Sequence, residues 1–369
     1  MKIFYRKGGH SPDYVIITTF LLLVIFGLVM LASASSHLGK VRFDDSYYYL
    51  KHQLIRGLLV GILGFTAGYF IYYRRYQDWA FILLLLSLGL LLLVFTKFGI
   101  ASGGAERWLR LGPITFQPAE IMKITYILYL AAWLSNSKLN RRKNLYEGFI
   151  PFLIISGMVG GILTLQPATS TVAILLGSGL VMYFLSGAPW KYVFGTISLG
   201  LLALALLVLI TPYRFERVLG FLKYSSNEEG IGYHLNQSLI AIGSGQVWGV
   251  GYGQSTAKVK FLPDPIADSV FAVIGQELGF VGSATLVIVF GFLVIKIFWL
   301  AKSLRDTFGK MLLIGFGTII AGQAFMHMAA ISGIVPLTGV PLPFISFGGT
   351  ALAVFMTMAG IIANISKYS

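Results

Sequence analysis

The chain has 369 residues, of which 56% are hydrophobic and only 11% are charged, and its net charge is +14. A soluble domain carries about 25% charged residues, so this composition excludes an ordinary water-soluble protein and predicts a chain that lies mostly in lipid. The absence of cysteine excludes disulfides, thiolate metal sites and a cysteine nucleophile. In a membrane protein the positive charge indicates topology, and we expect no nucleic-acid partner.

Ten apolar segments approach the roughly 20 residues that a transmembrane helix needs. They predict an all-α polytopic membrane protein that forms a single transmembrane domain over residues 1–369. The predicted spans are 14–34, 52–72, 79–96, 117–135, 149–165, 170–187, 192–211, 268–295, 309–331 and 344–365. The first apolar run is longer than the core of a signal peptide, about 7–15 residues, so we expect an uncleaved helix.

Lysine and arginine in the short loops predict the orientation. With the N-terminus in the cytoplasm, 15 of the 28 Lys and Arg residues fall in cytoplasmic segments. This arrangement predicts an N-in/C-in protein of the bacterial inner membrane. The long loop 212–267, between the seventh and eighth spans, is then extracytoplasmic. Within that loop, residues 233–245 predict a short amphipathic helix at the membrane surface.

The segment before the fourth predicted span concentrates cations near an interfacial tryptophan. Arg107 and Arg110 flank Trp108, and arginine forks match the oxygens of phosphate groups. The two arginines could therefore bind lipid headgroups nonspecifically or hold a pyrophosphate. Glu120 and Lys123 follow at a spacing of three, which places them on one helix face. They could form a structural ion pair or line a polar cavity.

Asp268 stands at the start of the eighth predicted span, after prolines at 263 and 265. It could be the N-cap of that helix, or a general base at the boundary between water and lipid. Lys258 lies ten residues earlier and could contact an anionic substrate. Glu277 lies about 13 Å deeper at 1.5 Å per residue, and we expect it to be a buried structural group.

The segment 339–350 contains Pro341, Pro343 and a glycine pair, which predict broken backbone at membrane depth. Gln323 and His327 share a face of the ninth predicted span. A membrane histidine of this kind serves either as a helix-to-helix hydrogen bond or as a proton carrier. From these residues alone, both readings stay open.

Four stretches together resemble the SEDS family of bacterial shape, elongation, division and sporulation proteins, which includes FtsW, RodA and SpoVE. The stretches are ASASS at 32–36, ERWLRLGPITFQPAEIMK at 106–123, NQSLIAIGSGQVWGVGYGQST through LPDPIADSVFAVIGQELGF at 236–280 and PLTGVPLPFISFGGT at 336–350. They cover nearly the whole chain in the family's order. The first stretch, with YYYLKHQLIRG and YRR after it, is more similar to FtsW than to RodA.

The resemblance implies a peptidoglycan glycosyltransferase that polymerises lipid II, with undecaprenyl pyrophosphate as the leaving group. Asp268 falls on the family's catalytic aspartate. The expected substrate-binding and cavity residues are Arg107, Trp108, Arg110, Glu120, Lys123, Lys258, Gln237 and Ser346. The implied partners are lipid II, a class B penicillin-binding protein, other divisome or elongasome proteins and membrane lipids, and the active face would be extracytoplasmic.

Two positions depart from the family's pattern. Ala168 follows Gln-Pro where the family has an acidic residue, and His327 stands where the family has asparagine. No dedicated metal cage is evident, although a divalent cation, Mg²⁺ or Mn²⁺, stays open as a cofactor. Two other functions also remain: a lipid II flippase, since transporters use broken helices and intramembrane charges, and a noncatalytic divisome scaffold.

Overall fold

The computed structural model describes residues 9–102, 105–112, 114–136, 144–222 and 231–369. The basic residues before position 9 and those of the predicted cytoplasmic loop 137–143 lie outside these ranges. The helices are α1 Tyr14–Phe43, α2 Tyr48–Phe70, α3 Arg75–Leu93, α4 Pro118–Ser135, α5 Leu145–Leu165, α6 Thr169–Leu185, α7 Trp190–Ile210, α8 Pro212–Leu222, α9 Ile231–Ser244, α10 Ala257–Lys260, α11 Val270–Ser303, α12 Thr307–Ile331 and α13 Gly349–Ile365.

Eight helices in the described part of the chain are long and apolar enough to cross a membrane: α1, α2, α3, α5, α7, α11, α12 and α13. The other two predicted spans are present as α4, with 18 residues, and as α6, with 17 residues. The segments predicted as spans at 117–135 and 170–187 are therefore confirmed as helices. The count of ten spans and the N-in/C-in orientation stay predictions.

The loop before α4 corrects the all-helical prediction, because it contains a small antiparallel sheet in the order β1-β2-β3. The strands are Gly99–Ser102, Ala105–Leu111 and Ile114–Phe116. Leu109 is fully buried while the next residue, Arg110, is exposed, as the alternation of a strand requires. The strands escaped the sequence analysis because they are too short to register in a search for 20-residue apolar runs.

Helices α5 and α6 form a tight hairpin, since α5 ends at Leu165 and α6 begins at Thr169. The amphipathic helix predicted at 233–245 is α9. The 212–267 segment is thus largely helical, with α8, α9 and α10 inside the described ranges. Its position at a membrane surface stays a prediction.

The centre of the bundle is formed by α4, α12 and α13, whose side chains are mostly buried, whereas α7 exposes nearly all of its apolar surface. Helices α2 and α13 cross at glycines. A Cβ atom at Gly68 would lie 2.8 Å from the Ile361 amide nitrogen, and one at Gly360 would collide with the Phe65 carbonyl. Only glycine permits this approach, which sets α2 and α13 side by side along one wall of the cavity described below.

Helix α11 is interrupted at Gly279, where φ is 66° and ψ is −161°. The residues after Ser244 fill the gap. The Phe280 and Val281 amides donate to the carbonyls of Gln246 and Val247 at 2.9 and 3.1 Å, so the broken backbone remains hydrogen-bonded. Paired backbone of this kind is the condition for irregular structure at membrane depth.

Candidate active site

Asp268 is half-buried on a turn that leads into α11. It is not the N-cap, as the sequence had left open. The cap residue is Ser269, and its side chain makes no capping hydrogen bond. Asp268 belongs to a turn in which the amides of Ala267 and Ser269 donate to the Asp264 carbonyl, at 3.3 and 3.1 Å. Asp268 therefore lies one residue before the cap position of α11.

This turn is held by hydrogen bonds from two directions. The broken segment before α13 contributes the Phe347 amide, which donates to the Ile266 carbonyl at 2.9 Å. Ser346 Oγ from the same segment donates to the Ala267 carbonyl at 2.8 Å. On the other side, Ser269 Oγ lies 2.7 Å from His234 Nε2 of α9 and donates to the Pro263 carbonyl at 2.6 Å.

Gly339 keeps the space beside the Asp268 carboxylate open. Its φ of +63° suits glycine, and a Cβ atom there would lie 3.5 Å from Asp268 Oδ2. The broken backbone predicted for 339–350 is confirmed, with a second positive φ of 67° at Phe344. The irregular segment therefore serves both to anchor the turn and to leave room at its carboxylate.

A cavity of about 1690 Å³ lies against this turn. Among the predicted site residues, Trp108 and Lys258 line it, whereas Asp268 does not and lies just beyond the lining residues Asp264–Ala267. The cavity wall also contains polar residues that the sequence analysis did not select, namely His37, Arg42, His52, Gln53, Arg56 and Asp264. Arg56 could have been found, because an ionisable residue inside an apolar span is a functional candidate.

Asp264 is the carboxylate that faces the cavity. Asp264 is exposed to the cavity, and desolvation by the surrounding walls raises the pKa of its carboxyl above 3.8, which outweighs the opposing effects of the Ala267 amide and the Arg42 charge. Its backbone has a positive φ of 41°, a conformation that aspartate tolerates better than most residues. Two carboxylates four residues apart thus share one turn.

Lys258 and Glu277 form a buried ion pair, with Lys258 Nζ 2.6 Å from Glu277 Oε1. Ser33 of α1 joins them, since its Oγ accepts from Lys258 Nζ at 2.8 Å and donates to Glu277 at 2.7 Å. The expectation that Glu277 is a buried structural group agrees with this network. Glu277 therefore balances the charge of Lys258, although part of Lys258 lines the cavity.

Glu120 and Lys123 also pair inside the bundle, at 2.6 Å between Oε1 and Nζ. Lys123 Nζ donates in addition to Gln323 Oε1 at 2.7 Å. Gln323 Nε2 donates to the Pro341 carbonyl at 2.8 Å, and His327 Nδ1 lies 2.7 Å from the Val340 carbonyl. This network links α4 and α12 to the broken segment, which favours the structural reading of both the ion pair and His327.

The remaining predicted site residues lie apart from this cluster. Arg107 donates to the carbonyls of Gln166 and Pro167, at 2.9 and 2.6 Å, and so fastens the sheet to the α5–α6 hairpin. Arg110 is exposed on β2, and Gln237 is half-buried on α9. Neither Arg110 nor Gln237 lines the cavity. The structure therefore brings Ser346 to the Asp268 turn, and Trp108 and Lys258 to the cavity beside it.

A divalent cation finds no donor set in the described ranges, where no three His, Asp or Glu side chains come together as metal ligands. Divalent cations such as Mg²⁺ prefer several oxygen ligands. Asp264 and Asp268 share a turn, and among the described residues no third carboxylate joins them as a metal ligand. The proposed reaction below therefore contains no step through a metal ion.

The chain is similar to curated proteins along its whole length. It is 34% identical over 363 residues to stage V sporulation protein E of Bacillus subtilis, covering 97% of this chain and 98% of that protein. It is 35% identical over 364 residues to a probable peptidoglycan glycosyltransferase FtsW of Trichlorobacter lovleyi, covering 98% of this chain and 95% of the relative.

Solved structures share the fold. One chain of a structure on the coordination of polymerization and crosslinking by a peptidoglycan synthase complex superposes with a TM-score of 0.77 at 27% identity, covering 96% of this chain and 98% of that chain. Rod shape determining protein RodA of Thermus thermophilus gives a TM-score of 0.69 at 25% identity, covering 96% and 97%. The family model described as "Cell cycle protein" matches residues 13–369. The chain is an integral membrane protein that belongs to the FtsW/RodA/SpoVE family.

Proposed function

We propose that this chain is a peptidoglycan glycosyltransferase that polymerises lipid II, with Asp268 as the general base. The observation that carries the proposal is the cavity of about 1690 Å³ whose wall includes the turn leading into Asp268. Its lining combines charged residues, such as Arg42 and Asp264, with apolar ones, such as Leu63 and Ala353. This combination suits a substrate with a polar head and a long apolar tail. Relatives named probable peptidoglycan glycosyltransferase FtsW support the same reaction.

In the proposed reaction, Asp268 accepts the proton of the acceptor sugar's 4-hydroxyl. The hydroxyl oxygen bonds to the anomeric carbon of the donor sugar, the bond from that carbon to the pyrophosphate oxygen breaks, and undecaprenyl pyrophosphate leaves. Attack from the opposite face inverts the configuration from α to β. A positioned base contributes about 10²–10⁴-fold to such a rate.

The hydrogen bonds that hold the turn fix the position of Asp268, as the proton transfer requires. Ser346 and Phe347 hold the two carbonyls before Asp268, and His234 contacts Ser269 directly after it. Gly339 leaves space beside the carboxylate, where the acceptor hydroxyl would arrive. A displacement of about 1 Å can cost 10²-fold in rate, so these contacts matter for turnover without touching substrate.

The reaction would take place on the extracytoplasmic face of the bacterial inner membrane, with lipid tails entering between helices. A class B penicillin-binding protein would supply crosslinking, since one structural relative comes from a peptidoglycan synthase complex. Other divisome or elongasome proteins would complete the assembly, and the FtsW-like stretches favour a role in division over one in elongation.

The test is polymerisation of lipid II by the purified full chain in nanodiscs, alone and with its class B partner. Long glycan strands from the chain alone would exclude the scaffold alternative. If the chain needs its class B partner, glycan strands formed with a partner whose own active site is inactivated would also exclude the scaffold alternative. In a parallel arm, liposomes carrying fluorescent lipid II report flipping. Flipping without any polymerisation would overturn the proposal in favour of the flippase.

A further inference from the structure

The cations near the proposed active site differ in what they contact. Lys123 and Lys258 each have a buried carboxylate 2.6 Å away. Arg107 donates to two backbone carbonyls. A substrate that leaves as a pyrophosphate needs a cation whose charge is not balanced by a carboxylate and whose N–H donors are not already used by the protein. These three side chains, all predicted from the sequence to bind substrate, are therefore poor candidates for that contact.

Arg56 has a different environment. It lies eight residues into α2, which is long and apolar enough to cross a membrane, and its side chain is exposed along the wall of the cavity. In the described part of the chain it has no Asp or Glu within ion-pair distance, 4.0 Å, and no side-chain hydrogen bond. A charge inside an apolar membrane helix is costly, by about 2.5–3.5 kcal/mol at the helix centre on insertion scales, so an arginine within such a helix that has no acidic partner is a candidate to bind an anionic ligand.

The local backbone presents Arg56 to the cavity. Residues Gln53–Leu59 form a π-helical stretch, and such stretches occur frequently at functional sites. Gln53, three residues earlier, is buried, and its Oε1 accepts from the Gly348 amide at 3.0 Å. A Cβ atom at Gly349 would lie 3.2 Å from the Arg56 carbonyl carbon. The arginine thus lies against the first turn of α13, whose partial positive charge adds to its own.

The cavity around Arg56 also limits what the ligand can be. The Gly348–Thr350 segment lines the wall beside it, and Leu63, Gly64 and Thr357 line the wall further along. Gly64 is eight residues beyond Arg56, or about 12 Å along the helix. A cation with a deep and mainly apolar recess beside it fits an anionic head joined to a hydrocarbon chain better than a free ion.

We propose that Arg56 binds the pyrophosphate of a polyprenyl pyrophosphate in this cavity. Its planar guanidinium can donate to two phosphate oxygens at once, while the apolar recess receives the first part of the chain. The identity of this substrate rests on the proposed function. Arg56 takes no proton in the reaction and stabilises the negative charge that builds up on the leaving group.

Binding without turnover tests this assignment. The full chain in nanodiscs is titrated with undecaprenyl pyrophosphate, with undecaprenol, which has the same tail and no charge, and with phosphatidylglycerol. Arg56→Gln is expected to weaken pyrophosphate binding roughly 10- to 100-fold, as expected for lost charge-assisted hydrogen bonds, and to leave undecaprenol binding unchanged. Arg56→Lys keeps the positive charge but lacks the planar guanidinium. Its affinity for undecaprenyl pyrophosphate is expected to lie between those of the unmodified chain and Arg56→Gln.

Arg75→Gln is the matched control, because Arg75 is an arginine at a helix end that pairs with Asp78 and does not line the cavity. It is expected to bind all three lipids as the unmodified chain does. Raising the salt concentration should weaken pyrophosphate binding in the unmodified chain more than in Arg56→Gln. If Arg56→Gln does not fold, the proposal is tested by Arg56→Lys and by the unmodified chain alone, in which salt should weaken binding of undecaprenyl pyrophosphate and leave binding of undecaprenol unchanged.

Two results would overturn the proposal. One is equal affinity of the unmodified chain and Arg56→Gln for undecaprenyl pyrophosphate. The other is a loss of affinity for phosphatidylglycerol in Arg56→Gln as large as the loss for undecaprenyl pyrophosphate, which would make Arg56 a general site for anionic lipids. Because no polymer is formed in this titration, its failure leaves the glycosyltransferase assignment standing. Loss of polymerase activity in the assay above would in turn leave the binding result intact.

Discussion

Asp264 and Asp268 lie on one turn but in different surroundings. Asp264 lines the cavity, and the protein packed around it raises the pKa of its carboxyl. Asp268 lies beyond the lining, next to Gly339, on backbone clamped by Ser346 and by the His234–Ser269 contact. The resemblance selected Asp268, and residue spacing could not have separated it from Asp264, because the difference comes from segments distant in the chain, namely α9 with His234 and the broken segment with Gly339 and Ser346.

The raised pKa of Asp264 predicts a pH-dependent stability. Ionising this carboxyl is harder in the folded chain than in the unfolded one, where its pKa is near 3.8. The penalty is absent below that pH and complete above the folded pKa. The stability of the unmodified chain relative to Asp264→Asn should therefore fall as the pH rises through that window. Thermal unfolding of both proteins in detergent from acidic to neutral pH measures this, and a pH-independent difference would contradict it.

The Glu120–Lys123 pair predicts a second effect at the residue scale. Both side chains are almost fully buried. Removing one partner of a buried pair costs about 3–5 kcal/mol, because the remaining charge is uncompensated, whereas replacing both costs less. Lys123→Met should therefore lower the melting temperature more than the double variant Glu120→Gln with Lys123→Met. Equal losses in the two variants would show that the pair does not carry this coupling.

At the scale of elements, hydropathy was sufficient to locate the helices. The ten predicted spans correspond to ten observed helices, although α1 and α11 extend well past their predicted ends at 34 and 295. The sheet before α4 was missed because its strands have 3–7 residues and its stability comes from pairing across turns. The break in α11 was also missed, since Gly279 in an apolar run is compatible with a continuous helix until the 246–251 segment packs against it.

That break supplies a prediction for Gly279→Ala. The positive φ disfavours alanine by about 1–3 kcal/mol, and the new Cβ atom would lie 2.6 Å from the Val247 carbonyl oxygen. The variant should unfold at a lower temperature and expose the 246–251 segment to proteolysis. Gly291→Ala is the control in the same helix, because a Cβ atom there meets open space. Equal stability of the two variants would contradict the role of the break.

At the scale of the whole molecule, the family and the reaction class could be predicted from four sequence stretches, and the match over residues 13–369 confirms the family. The cavity could not be predicted in this way. Its wall combines residues from α1, α2, the sheet, the segment before α11 and the start of α13, which are brought together only by packing. The sequence analysis accordingly assigned substrate contacts to Lys123 and Lys258, which the fold pairs with buried carboxylates, and did not select Arg56.

The central claim is that Asp268 is the base for glycan polymerisation. The measurement is the initial rate of lipid II polymerisation by the chain with its class B partner, comparing Asp268→Asn with Asp264→Asn, both nearly isosteric. Asp268→Asn is expected to reduce the rate by about 10²–10⁴-fold, with intact folding and lipid II binding, whereas Asp264→Asn should retain more activity. A near-normal rate for Asp268→Asn, or a larger loss for Asp264→Asn, would contradict the assignment.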